Sequence, residues 1–368
     1  MTSLPMKRCD LATPALIIDR AALERNIVAM ADFARARRIA LRPHAKTHKS
    51  AEIARRQISA GAVGLCCAKL GEAEALAAEG IDDILITSPV VSEQTVARLV
   101  KLHERIGGLT VVVDHPANAR RLAAAMGQRR LRVLVDIDPG IHRTGVASSA
   151  AAVELATIID AAPALAYAGV QFYCGVQQHI ASLAERRAQL AERTAYLKAC
   201  LTALDDAGLA ARTVSGGGTG SFSIDAELGV LTELQVGSYV FMDREYLDCE
   251  FDAEGPRFEP ALAIDTRVVS ANTAGRVTLD AGLKAMAVDA GPPRVLGGAD
   301  PQSRFVFMGD EHGAVLTPPG SADPELDQRV TLLPPHCDPT VNLYDRYAVC
   351  DGPAVVDFWP VTARGRSG

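Results

Sequence analysis

The sequence of 368 residues is 48% hydrophobic, 22% charged and 5% aromatic, which excludes disordered and collagen-like chains and leaves one large or two moderate globular domains. Lys and Arg number 38 against 44 Asp and Glu, a net charge of −6, so no basic field is present to hold a polyanion and nucleic acid is not an expected partner. No apolar run reaches the roughly 18–20 residues of a membrane helix, and the opening MTSLPMKRCD is too polar for a signal peptide. The expectation is a cytoplasmic protein with a small-molecule ligand and no membrane partner. Cys9, Cys66, Cys67, Cys174, Cys200, Cys249, Cys337 and Cys350 include no CxxC pair and are expected to be free thiols, mostly filling the core.

The first predicted element is a strand, Ala15 to Asp19, that precedes the first helical stretch, Ala22 to Ala36. Apolar or β-branched runs then follow at Leu41 to Pro43, Gly64 to Cys66, Asp83 to Ile86, Leu109 to Val113, Leu131 to Asp136, Tyr167 to Phe172, Arg212 to Val214 and Leu234 to Tyr239. Between them lie amphipathic stretches such as Ser50 to Ala60, Leu70 to Ala78 and Ser182 to Ala207. Strands alternating with helices over such a length predict an α/β fold, a (β/α)8 TIM-type barrel over residues 20–250; an open doubly wound sheet has the same rhythm. From about Asp252 the Pro-Gly punctuation thickens and short strands appear, among them Leu262 to Val269, Arg276 to Leu279, Arg304 to Phe307 and Arg329 to Leu333. These predict a smaller all-β domain over 251–368, which residues 1–19 join.

Barrel chemistry sits at the C-terminal ends of strands. The first barrel strand runs into Arg42-Pro43-His44-Ala45-Lys46-Thr47-His48-Lys49. Crowded cations are expected to lower the Lys46 pKa and make its amine a nucleophile suited to Schiff-base chemistry; the run also fits a solvated basic loop. The seventh and eighth barrel strands lead into Ser215-Gly216-Gly217-Gly218-Thr219-Gly220 and Gly237-Ser238-Tyr239. Bare N–H groups and hydroxyls at these two positions predict a phosphate-bearing ligand. Arg143 follows a glycine turn, free to reach a ligand oxygen or to pair with Asp136 or Asp138. After the sixth strand, Gln171-Phe172-Tyr173 offers an aromatic ring for a flat ligand, and His179 is a candidate acid or base. In the last domain His336 and Asp338 stand two apart; an extended segment would put both on one face, with Cys337 on the other, as a site for Mn²⁺ or Mg²⁺.

Taken together, these motifs resemble the D-threonine aldolases, members of the alanine racemase-like (fold type III) pyridoxal-phosphate enzymes that also include D-serine dehydratase and the 3-hydroxyaspartate aldolases and dehydratases. Further markers are Thr13-Pro14-Ala15-Leu16, Arg143-Thr144-Gly145, Thr232 to Tyr239, Asp280-Ala281-Gly282-Leu283-Lys284, Gly309-Asp310-Glu311-His312-Gly313 and Pro335-His336-Cys337-Asp338-Pro339-Thr340. By that resemblance Lys46 holds pyridoxal phosphate, and His44, Arg143, Gln171, Tyr173, Gly218, Thr219, Gly220, Gly237, Ser238 and Tyr239 contact it. His336 and Asp338 match a divalent-metal pair, and His179 matches a histidine near the substrate. The implied activity is retro-aldol cleavage of D-β-hydroxy-α-amino acids to glycine and an aldehyde, by a homodimer. The His-x-Asp pair, where the dehydratases have His-x-Cys, points to the aldolase; D-3-hydroxyaspartate aldolase and the dehydratases are the alternatives on the same scaffold.

Overall fold

The computed structural model describes residues 6–368; residues 1–5, which the sequence groups with the β domain, lie outside it. The strands in chain order are β1 (Ala15–Asp19), β2 (Ala40–Leu41), β3 (Leu65–Cys67), β4 (Asp83–Ile86), β5 (Gly108–Val113), β6 (Leu131–Asp136), β7 (Leu165–Phe172), β8 (Thr213–Gly216) and β9 (Glu233–Leu234). They continue with β10 (Leu262–Thr273), β11 (Arg276–Leu279), β12 (Arg294–Gly297), β13 (Arg304–Phe307), β14 (Gly313–Leu316), β15 (Arg329–Leu333), β16 (Arg346–Asp351) and β17 (Ala354–Pro360).

Strands β2 to β9 form one parallel sheet in the order β2-β9-β8-β7-β6-β5-β4-β3. Its two ends meet through the Val63 N–H on the Leu41 carbonyl and the Cys66 N–H on the Pro43 carbonyl, at 2.9 and 2.8 Å, so the sheet closes as a TIM-type barrel rather than remaining open. Outward-facing residues such as Ile84, Ile86, Val111, Val113, Val133 and Val135 pack under the helices in the main core. Cys66, Leu85, Val112 and Leu134 form a separate small cluster, as expected for the inner face of the same strands. The rest of the interior is polar: Arg42 Nε donates to Glu233 at 2.8 Å, Ser215 Oγ donates to Glu233 at 2.7 Å, and Gln235 Nε2 donates to Ser215 at 2.9 Å and Gln171 at 3.2 Å. Arg42, Glu233, Ser215, Gln235 and Gln171 thus satisfy one another, as a buried polar network requires, whereas Asp136 Oδ2 at the end of β6 has no partner among the described residues.

In the second sheet β10, β11, β14, β13, β12 and β15 close on themselves as an antiparallel barrel, since β10 pairs with both β11 and β15. Strand β1 extends it, antiparallel to β10 and parallel to β16, which β17 follows. All eight cysteines are free, and six of them are buried. No helix among the described residues is long and apolar enough to cross a membrane.

Two local expectations are corrected. The eighth barrel strand is only Glu233–Leu234; Gly237 instead opens a 3-10 turn over Ser238–Val240. The His336 segment is not extended: His336 is the N-cap of a short helix, Cys337–Val341, in whose first turn Asp338 lies. Pro339 suits that first turn, where a missing N–H costs nothing.

Candidate active site

A cavity of about 500 Å³ opens at the C-terminal ends of the barrel strands, and His44, Lys46, Arg143, Gln171, Tyr173, Gly218, Thr219, Gly237 and Ser238 line it. Five expected residues, His336 among them, are not on that lining. Tyr239 is fully buried, its hydroxyl accepting from Gln57 Nε2 at 3.0 Å and its ring packed on Phe258; it reaches the site only through its N–H, which donates to Thr219 Oγ1 at 2.9 Å. The Gly220 N–H is turned back onto Gln178 Oε1 at 3.0 Å. Asp338 meets the cavity through its contact with Lys46. His179 lies behind Tyr246, whose ring it meets edge-on at 4.5 Å and which does line the cavity.

The basic run after the first barrel strand is not a solvated loop. Arg42 is buried inside the barrel between Glu233 and Asp83, and Lys49 is buried on Glu72 at 3.1 Å and Asn342 at 3.0 Å. His48 is buried and its Nδ1 accepts from the Ser50 N–H; burial lowers its pKa to about 4. His44 is likewise neutral, its pKa lowered to about 3 by burial and then by the Lys46 charge, with Nε2 3.1 Å from Thr87 Oγ1. Of the run's lysine and arginine side chains, Lys46 alone lines the cavity, its side chain 40% exposed.

The expected lowering of the Lys46 pKa is overturned. Its Nζ sits 3.3 Å from Asp338 Oδ2, and that carboxylate raises the lysine above its ordinary value against the effect of burial. Asp338 would be pushed up by burial, but Lys46 and then His336 hold it down to about 2. The sequence run counts only the neighbouring cations; the deciding anion arrives from the other domain.

Arg143 pairs with neither Asp136 nor Asp138. Its guanidinium lies 5.7 Å from the centre of the Tyr173 ring, while Asp138 caps the Gly140, Ile141 and His142 N–H groups and Asp136 accepts from Gln171 Nε2 at 2.9 Å. Nothing among the described residues accepts from the N–H groups of Thr219, Gly237 and Ser238. Three buried amides without partners beside a lysine meet the needs of a phosphate-bearing aldehyde, so the residues present fit pyridoxal phosphate.

At His336, Nδ1 is 2.7 Å from Asp289 Oδ2. Burial disfavours its charged form, yet Asp338 and Asp289 outweigh that and raise its pKa. The two metal candidates therefore do influence each other, although the extended geometry expected of them is absent. Among the described residues there is no group of three or more His, Cys, Asp or Glu side chains set to hold a metal. An imidazole oriented by a second carboxylate, next to a carboxylate, still fits a divalent ion that keeps water or substrate ligands.

The residues that no local motif indicates are Glu245, 2.6 Å from His179 Nδ1, Tyr246, Asp289, and the lining residues Lys69, Thr87 and Asp114. Only the Tyr246 ring, an aromatic beside an acidic residue after the last barrel strand, carries any signal that a sequence search would weigh.

The alanine racemase N-terminal domain family matches residues 18–245, and the serine dehydratase domain family matches residues 261–350. The chain is 41% identical to a 3-hydroxy-D-aspartate aldolase of Paracoccus denitrificans, over 98% of this chain and 94% of that one. It is also 41% identical to a D-threonine aldolase of an Arthrobacter species, over 99% and 95%. The crystal structure of D-threonine aldolase from Filomicrobium marinum superposes with a TM-score of 0.95 at 39% identity, covering 98% of both chains. The chain belongs to the alanine racemase-like aldolases. As a member of this pyridoxal-phosphate-dependent family it is a lyase, and the barrel with its antiparallel β domain is the family's fold.

In this alanine racemase-like aldolase the wall behind the glycine loop contains Asp225, buried with only the Ser221 hydroxyl donating to its carboxylate at 2.6 Å. Burial pushes its pKa up to about 7. The folded state then binds a proton that the unfolded chain releases near pH 3.8, so stability falls as pH rises from there to about 7. Asp225→Asn is expected to raise the melting temperature by about 5 °C at pH 8 and to change it little at pH 4.5. Equal shifts at both pH values in a thermal melt would show that ionisation of Asp225 is not the cause.

Proposed function

We propose that this chain cleaves D-β-hydroxy-α-amino acids between Cα and Cβ, as a D-threonine-type aldolase, giving glycine and an aldehyde with pyridoxal phosphate and a divalent metal, Mn²⁺ or Mg²⁺. The observation that carries this reading is the meeting of Lys46 and Asp338 at 3.3 Å, which brings the cofactor lysine and the candidate metal carboxylate to one point of one cavity. We further propose that it works as a cytoplasmic homodimer; the family resemblance supports the dimer.

When bound, the cofactor supplies an electron sink for the charge left on Cα. Lys46 would hold it through Nζ, the N–H groups of Thr219, Gly237 and Ser238 would bind its phosphate, and Arg143 would supply a fixed cation at the same cavity. His44, neutral and fixed by Thr87, packs beside Lys46 without adding charge. His336 and Asp338 would hold the metal, which would supply Lewis-acid polarisation of a hydroxyl. His179 would be the base for the hydroxyl proton: Glu245 on Nδ1 selects the tautomer that leaves Nε2 as the acceptor, Nε2 has no partner among the described residues, and the Tyr246 ring stands between it and the cavity.

One observation favours a second reading, the cleavage of D-3-hydroxyaspartate. Lys69 lines the cavity and has no ion pair among the described residues, so a cation is available for a second substrate carboxylate. The test of both is product analysis with pyridoxal phosphate and Mn²⁺, using D-threonine and D-3-hydroxyaspartate, with L-threonine and a chelator as controls. The expected result is glycine plus aldehyde from D substrates only, lost on chelation. An oxo acid plus ammonia would replace the aldolase with a dehydratase.

A further inference from the structure

One buried side chain fixes the glycine loop from behind. Gln178, 1% exposed, lies in the 3-10 turn Val176–His179. Its Oε1 accepts from the Gly220 N–H at 3.0 Å, and its Nε2 donates to Ser221 Oγ at 2.9 Å and to the Cys174 carbonyl at 3.1 Å. Ser221 Oγ also accepts from the Gly218 N–H at 3.0 Å and donates to Asp225 at 2.6 Å. The amides of Gly218 and Gly220 are thus engaged away from the cavity, and the Thr219 amide between them is the one left without a protein acceptor. A Cβ on Gly218 would stand 2.5 Å from Gln178 Oε1, and a Cβ on Gly220 would overlap the Gln178 carbonyl. Glycine is therefore required at Gly220 by the Gln178 backbone, and a side chain at Gly218 would displace the Gln178 amide from its hydrogen bonds.

We propose that Gln178 is a positioning residue: by holding Gly220 and Ser221 it sets the loop so that the Thr219 N–H faces the cofactor phosphate. It acts through the loop and touches neither cofactor nor substrate. This inference rests on the assignment of the cavity as the pyridoxal-phosphate site. The physical basis is that a buried amide holding three hydrogen bonds has one low-energy arrangement, whereas a loop with freed amides at 218 and 220 has several, in which those amides compete with Thr219 for an acceptor.

The experiment titrates apoprotein with pyridoxal phosphate, following visible absorbance, and records the ³¹P resonance of the bound cofactor and the apoprotein melting temperature. Gln178→Met preserves length and removes all three hydrogen bonds; Ser221→Ala removes the next member of the network and serves if the first variant does not fold. Gln178→Met is expected to weaken cofactor binding about tenfold or more and to shift or broaden the ³¹P line, with Ser221→Ala changing both in the same direction by a smaller amount. A lower apoprotein melting temperature with wild-type cofactor affinity and an unchanged ³¹P line would mark a merely structural side chain and overturn the proposal. Wild-type protein that takes up no cofactor would overturn the cavity assignment itself, a result distinct from normal uptake by every variant.

Discussion

Lys46→Ala is expected to lose the visible absorbance of bound pyridoxal phosphate and to lower kcat by more than about 10⁴-fold, as removal of a covalent catalytic group does. The expectation follows from the dispersal of the basic run. His44 and His48 are buried and neutral, Arg42 is inside the barrel, and Lys49 is committed to Glu72. No other amine in that run reaches the cavity. The variant should still fold, because His336 remains as a counter-charge for Asp338 and the Lys46 side chain is 40% exposed. Absorbance after dialysis against the cofactor, together with turnover, checks this; retained turnover would remove Lys46 from the role assigned to it.

How far the sequence could be read depended on whether the deciding contact was local. Strands buried on both faces, such as Leu131–Asp136 with its Val133-Leu134-Val135 centre, are rich in apolar residues, and here the predicted and observed bounds match. The barrel strands Ala40–Leu41 and Glu233–Leu234 are harder to delimit because Arg42, Glu233 and Gln235 face a polar interior and break the pattern. In the β domain, Arg294–Gly297 and Gly313–Leu316 are four residues each with too little alternation to be predicted. The same rule governs the site. Lys46, Arg143 and the glycine loop stand in compact motifs, so their chemistry shows in the sequence. The Asp338 carboxylate against Lys46, Asp289 against His336 and Glu245 against His179 are brought together by folding alone. The first of these reverses the pKa direction that the local run of cations implies. The helix at Cys337–Val341 is obscured in the sequence by Pro335 before it and Pro339 in its first turn, since prolines suit an extended segment as well as a helix start.

Removal of the Asp338 carboxylate is expected to have two opposite effects. Asp338→Ala should lower kcat/KM for a D-β-hydroxy amino acid by about a thousandfold, the loss of several kcal/mol of Lewis-acid stabilisation, and added Mn²⁺ should no longer alter the rate. Capture of the cofactor should change in the other direction. Asp338 holds the Lys46 ammonium above the usual lysine pKa, which depletes the free amine at neutral pH. Without that carboxylate the Lys46 pKa falls, the amine fraction at pH 7 rises, and the pH profile of cofactor uptake by apoprotein moves to lower pH. Stopped-flow uptake across pH 6–10, beside steady-state rates with and without Mn²⁺, measures both on one variant. Were Asp338 instead a proton acceptor that generates the free amine, uptake would slow and its profile would move to higher pH. Were it not a metal ligand, the Mn²⁺ response would survive. His336→Ala separates the roles further: it should abolish the Mn²⁺ response while leaving Lys46 beside Asp338, so the uptake profile stays near that of the wild type.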